Sequence, residues 1–262
     1  MRLLTALLLY LVCASPVSAQ DVTIRFIANE GVHISDGETG VLIDALNWNS
    51  YDGTYALPSD DARAAIIAGT DPYDGVSALL FTHIHGDHSD PDGAAAFLMA
   101  QDMVTVAAPA QVTDAIRNGE TELSDNALNR LFPLELTAQE SGPWAHPLFE
   151  NIEGAWVFHR QGIDNITWHV RVGEVSVLHL GDTDPRRADF SVWAGTEFDV
   201  ILYPYWFAQM PQGVAFLDSR PEARAIAFHI PAAATAQTIR AALGDREYLF
   251  GEGSEVVIPA HD

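Results

Sequence analysis

Short apolar runs punctuated by Gly, Asp and Pro fill most of the chain, and their period sorts them into strands and helices. Val22 to Ala28 alternates apolar and polar side chains, the pattern of a strand. Gly31 opens a second short strand, and Gly40-Val-Leu-Ile-Asp44 forms a third. Val76 to Phe81 predicts a buried strand, Val104 to Ala107 another, and helices are expected over Asp60–Ala68, Pro91–Ala100 and Ala110–Arg117. Pro91 suits the first turn of its helix, and Ala94, Ala95, Phe97 and Leu98 supply the apolar face. The remainder of segment 48–75 is rich in Asp, Tyr, Gly and Pro, which predicts a long loop beside a pocket.

The second half repeats the order. Strands are predicted over Ala155–His159, Ile166–Val172, Val175–Leu180, Val200–Tyr203 and Ala225–His229, then a helix from Pro231 to about Leu243. Strands that lead and helices that follow, twice over, suit a layered sandwich of two sheets covered by helices. No linker-like tract, repeat or heptad run divides the chain, so residues 20–262 are expected to form one domain.

Residues 1–19 have a different character. Arg2 precedes an apolar run from Leu3 to Val12, and Pro16-Val-Ser-Ala19 offers small residues for cleavage. The expectation is a signal peptide, 1–19, and a periplasmic or secreted mature chain with no membrane association. Cys13, the only cysteine, would leave with it, so the mature chain has no disulfide and depends on its core alone. The net charge of −23 argues against a nucleic-acid partner and against anionic membrane surfaces.

Candidate chemistry is concentrated in Thr82-His-Ile-His-Gly-Asp-His-Ser89, where His83, His85, Asp87 and His88 place four metal-ligating groups in six positions. They follow a predicted strand, at the carboxyl end where α/β folds gather their sites. Such a cluster needs donors from elsewhere to close a site. His159, Asp182 and His229 each stand at the end of a later strand, and Gly181 permits a close backbone approach beside Asp182. His261, near the chain end, rivals His229. Asp44 is equally suited to orient a ligand imidazole or to sit in a turn; His179 and His169 read as structural, and His33 and His146 have no partner visible in sequence. Tyr205, Trp206, Phe207, Trp48 and Tyr51 suit either a pocket or the core.

These residues make the chain resemble the metallo-β-lactamase-fold hydrolases, whose His-x-His-x-Asp-His signature is matched by His83, His85, Asp87 and His88. The resemblance spans nearly the whole mature chain and implies an α/β, four-layer αββα sandwich. It implies one ion on His83, His85 and His159, a second on Asp87, His88 and His229, and Asp182 between them. It further implies an enzyme that uses a metal-bridging hydroxide, oriented by Asp87 as the catalytic residue, to cleave a carbonyl ester, lactone or amide of a small molecule. Two Zn2+ ions are expected, with Mn2+ or Fe2+ as alternatives. Without a mature cysteine, the chain is more similar to lactonase-type and UlaG-like members than to the commonest β-lactamases. Phosphodiester or β-lactam hydrolysis on the same fold, and a non-catalytic periplasmic metal-binding protein, are the competing readings.

Overall fold

The computed structural model describes residues 20–136 and 143–260. The predicted signal segment and His261 lie outside those residues. The first sheet is built from β1 (Val22–Ala28), β2 (Gly31–Ser35), β3 (Gly40–Ile43), β4 (Val76–Leu80), β5 (Thr105–Pro109) and β6 (Leu131–Leu134). The second contains β7 (Trp144–Ala145), β8 (Ile152–Trp156), β9 (Ile166–Val172), β10 (Val175–His179), β11 (Val200–Pro204), β12 (Arg224–Phe228) and β13 (Glu247–Tyr248). The chain then returns to the first sheet as β14 (Glu255–Ile258), giving the order β14-β1-β2-β3-β4-β5-β6 against β13-β12-β11-β10-β9-β8-β7.

Side-chain alternation builds the layers. Val41 and Ile43 of β3, with Ala78 and Leu80 of β4, point between the sheets onto Trp168, Val170, Val177 and Leu202. Leu42 and Leu79 point the other way, onto Phe97 and Leu98 of α2 (Pro91–Ala100), Ile66 of α1 (Asp60–Ala68) and Ile116 of α3 (Ala110–Arg117). Leu178, Ile201 and Tyr203 likewise face Leu217 of α5 (Pro211–Asp218) and Ile239 and Leu243 of α6 (Ala236–Leu243); between α3 and α5 lies the single turn α4 (Asp125–Leu128). Three apolar seams thus bind four layers, αββα. Each fully buried aliphatic side chain contributes about 1.5–3 kcal/mol, so a core of this extent needs no disulfide.

Strand direction decides where the chemistry collects. β3 to β6 run parallel, and so do β10 to β13. β1 is antiparallel to β2 and β2 to β3, so β1 points the same way as β3. The antiparallel steps from β8 through β9 to β10 likewise align β8 with β10. The carboxyl ends of β1, β3, β4, β8, β10 and β12 therefore meet along one rim.

Two expectations need correction. The expected strand Ala155–His159 begins and ends earlier, at Ile152 and Trp156, so His159 lies on the loop beyond it. Gly154 hid that strand: a Cβ there would lie 2.9 Å from the Trp168 ring, so the glycine makes room for the indole rather than marking a turn. The last helix starts at Ala236, not Pro231. Thr235 and Thr238 form its capping box, while the Ala232 and Ala234 N–H groups donate to Thr54 O and Pro231 O.

Candidate metal centre

The loop after β4 begins at Phe81, whose N–H donates to Ala107 O at 3.1 Å. His88 and Ser89 N–H groups both donate to His85 O, at 3.0 and 2.9 Å, which coils the segment into a tight turn. Gly86 is required there, because a Cβ would lie 2.7 Å from Asn49 and 3.0 Å from the Trp48 ring. Asp90 ends the loop by capping α2, accepting from Gly93 N–H at 3.0 Å.

This turn sends His83, His85, Asp87 and His88 inward, and the other strand ends bring the remaining donors to them. His83 Nε2 lies 2.9 Å from His85 Nδ1, and the His159 ring centre lies 5.0 and 5.2 Å from those of His83 and His85. His88 Nε2 lies 3.1 Å from His229 Nε2. Asp87 Oδ2 stands 3.7 Å from His88 Nε2 and 3.5 Å from His229 Nε2. Asp182 is between the two groups: Oδ2 is 3.8, 3.6 and 3.9 Å from Nε2 of His83, His88 and His159, and Oδ1 is 3.2 Å from His229 Nε2. All seven candidates converge, as two sets that share an aspartate.

The donors fit metal ions on chemical grounds. Two ligand atoms each about 2.1 Å from one tetrahedral ion lie about 3.4 Å apart, within the spread of these separations. Asp182 Oδ1 and His159 Nε2 are buried with no hydrogen-bond partner. Burial holds the His83 imidazole well below its ordinary range, helped by His88, and pushes His85 down to about 4. Burial lowers His159 too. Three neutral imidazoles facing one point offer lone pairs rather than protons. Burial works against the charge on Asp182, yet His229 and His88 outweigh it and hold its carboxyl well below the usual range.

His88 is oriented from behind. Its Nδ1 lies 2.8 Å from Asp44 Oδ2, and Asp44 also accepts from Thr82 N–H at 2.8 Å and Thr82 Oγ1 at 2.6 Å. A proton on Nδ1 leaves Nε2 free to face the centre. Burial opposes charging His88, but Asp182, Asp44 and Glu30 together raise its pKa well above the ordinary value. His179 is structural: Nε2 donates to Glu30 O at 3.1 Å and Nδ1 accepts from Gly181 N–H at 3.2 Å. His169 is held by Glu153 and Ser176, both at 2.8 Å, away from the centre. His33 packs on Tyr73, and Thr105 lies 3.4 Å from His146.

Three contributors gave no sequence signal strong enough to single them out. Asn29 sits in the β1–β2 turn at φ 53° and donates to Asp87 O at 2.8 Å and Asp87 Oδ2 at 3.2 Å. Glu30, beside it, is fully buried next to His88. Both read as an ordinary hairpin turn. Tyr55 lies edge-on to His229 with ring centres 4.4 Å apart, and burial raises its hydroxyl pKa. Trp206 flanks the same imidazole at 4.7 Å, whereas Phe207 is wholly in the core and Trp48 is largely exposed. A cavity of about 210 Å3, lined by His159, Asp182, Asp184, Arg186, Trp206 and Met210, opens onto the centre.

No family model matches the sequence, and no curated protein matches it. Solved structures do match the fold. An isothiocyanate hydrolase from Delia radicum gut bacteria aligns with a TM-score of 0.59 at 13% identity, covering 91% of this chain and 100% of that one. The metallo-β-lactamase fold protein YhfI from Bacillus subtilis gives 0.57 at 10% identity, with 91% and 99% covered. The short form of human tRNase Z gives 0.57 at 14% identity, with 92% and 100% covered. The chain has the metallo-β-lactamase fold.

Proposed function

We propose that this chain is an exported metal-dependent hydrolase that cleaves a carbonyl ester, lactone or amide of a small molecule. The observation that carries the reading is the convergence of five histidines and two aspartates on one rim. His83, His85 and His159 would hold one divalent ion, for which zinc suits the all-imidazole face. Asp87, His88 and His229 would hold a second, with Asp182 shared. Such ions supply an acidified water and an electrophile for the substrate carbonyl.

The chain's own residues do the rest. Asp87, its backbone carbonyl pinned by Asn29 and Asn47 at 2.8 and 3.0 Å, takes the proton of the attacking water and returns it to the leaving group. Trp206 and Tyr55 shield His229 from bulk water, and a cavity of about 210 Å3 suits a compact substrate. Neighbours with names as different as isothiocyanate hydrolase and tRNase Z mean that the fold does not choose the substrate.

The absence of a paired arginine clamp among the described residues supports the carbonyl reading over phosphodiester cleavage, since Arg160 beside His159 stands alone in sequence. Arg186, at the cavity wall, is tied to Asp184 by two hydrogen bonds of 2.9 Å. Arg187 stacks on Phe158 at 3.7 Å. Neither is free to clamp a phosphate. The test is a screen of metal-loaded mature protein against lactones, thioesters, β-lactams and a chromogenic phosphodiester, with elemental analysis alongside. Two ions per chain and turnover of a carbonyl substrate are expected. Turnover of the phosphodiester alone would replace this reading, and bound metal without any turnover would favour a metal-binding protein.

A further inference from the structure

Glu30 is a buried ionisable group at the rim that the proposed chemistry does not use. It is fully inaccessible, and neither carboxylate oxygen has a hydrogen-bond partner. Its Oε2 lies 3.5 Å from His88 Nδ1. One donor atom each from Glu30, His88 and Asp182 fall within 4.8 Å of one another. The backbone that carries it is fixed on both sides and through its own carbonyl. Asn29 takes a left-handed φ of 53°, and a Cβ on Gly31 would lie 2.8 Å from Asp44 O and 2.9 Å from Ala28 O. The Glu30 carbonyl accepts from His179 Nε2 at 3.1 Å. The turn therefore drives this side chain into the rim rather than into solvent.

A buried carboxyl group that makes no hydrogen bond costs about 1–3 kcal/mol wherever it stays unsatisfied. No arginine or lysine pairs with Glu30 among the described residues. Asp44 is saturated by Thr82 and His88, and His179 has both nitrogens committed, so neither can anchor a separate ion with Glu30.

We infer that Glu30 is an additional oxygen donor to the metal centre on its His88–Asp182 side. The two positions then differ in character. One presents three imidazoles and the shared Asp182, whereas the other presents Glu30, Asp87 and the shared Asp182 with only two imidazoles. Carboxylates suit Mn2+ and imidazoles suit zinc, so a further carboxylate narrows zinc's general advantage at that position. The centre is thus built to hold unlike ions, with the harder one beside Glu30. This rests on the two-ion reading proposed above.

The test compares wild type with Glu30→Gln, both stripped by chelator, by counting bound Mn2+ with electron paramagnetic resonance and bound Zn2+ by native mass spectrometry. Wild type is expected to take two Zn2+ alone and, when loaded with one Zn2+ per chain, to take one Mn2+ from added Mn2+. E30Q should still take two Zn2+ but bind Mn2+ at least tenfold more weakly. Equal Mn2+ affinity in the two proteins overturns the role of Glu30 while leaving the two-ion centre intact. A wild type that binds fewer than two ions overturns both. Should E30Q fail to fold, Glu30→Asp keeps the charge with a shorter reach, and the wild type decides independently: no Mn2+ bound by protein loaded with one Zn2+ per chain refutes the proposal.

Discussion

Replacing Asp44 by Asn would exchange one oxygen for an NH2 group and nothing else, which makes it a probe of which His88 nitrogen carries the proton. Asp44 adopts φ 48°, a conformation that Asn tolerates as well as Asp, so the backbone gives no competing effect. The amide oxygen can keep the bond from Thr82 N–H, at 2.8 Å. The amide nitrogen then faces Thr82 Oγ1, 2.6 Å away, and His88 Nδ1, 2.8 Å away, where the carboxylate accepted from both. Thr82 Oγ1 can turn its proton elsewhere. His88 cannot keep a proton on Nδ1 against an N–H donor, so the proton moves to Nε2, the atom that faces His229 at 3.1 Å.

The magnitude follows. A histidine protonated on Nε2 presents no lone pair to an ion at that position. Altering the group that orients a ligand imidazole typically costs 10–100-fold in metal affinity, about 1.4–2.7 kcal/mol. The loss should fall on the ion held by Asp87, His88 and His229 and spare the one held by His83, His85 and His159. Calorimetric titration of stripped protein should show one weakened site and one unchanged site in Asp44→Asn. Nitrogen-15 spectra of the imidazoles should show the tautomer change directly. Two sites of wild-type affinity, or an Nε2-protonated His88 in the metal-loaded wild type, would refute the reasoning.

Other outcomes follow from the same geometry. Asp87→Ala should lower hydrolysis by roughly 10²–10⁴-fold through loss of the proton carrier, while at least one ion per chain remains bound; full activity with unchanged metal content would remove Asp87 from that role. Burial holds the His33 imidazole down to about 4, against an ordinary 6.5, so the unfolded chain takes up its proton first as pH falls. The stabilisation from neutral His33 is therefore complete above pH 6.5 and is lost between there and about 4, at up to about 1.4 kcal/mol per pH unit. In urea titrations of stripped protein, His33→Leu should flatten the slope over that window, and an unchanged slope would exclude the effect. Gly181→Ala should destabilise by about 2–4 kcal/mol, because φ is 53° and the new Cβ would lie 2.7 Å from Asn165 Oδ1 and 2.9 Å from Thr82 Cβ; thermal unfolding measures it.

Sequence legibility tracked how local each signal is. Ile166–Val172 and Ala110–Arg117 lie where their apolar patterns place them, because each pattern is answered by a face of one sheet or helix. β13 and β14 escaped, since two and four residues carry too little period to be read, and their positions are set by pairing with β12 and β1. The site divides in the same way. His83, His85, Asp87 and His88 are visible because they share one turn, and Asp182 because a glycine precedes it. Asn29 and Glu30 precede Gly31 as any hairpin turn would. What distinguishes them is that β1 points the same way as β3 and β4, a fact of strand order that no local window contains. Strand direction therefore carries functional information of its own. In this fold, any polar residue that closes the β1–β2 hairpin is delivered to the rim where the histidines meet. A buried Glu at that position, 3.5 Å from His88, is then a feature of the centre's chemistry, while the same residue two positions along β2 would be a misplaced charge in the core.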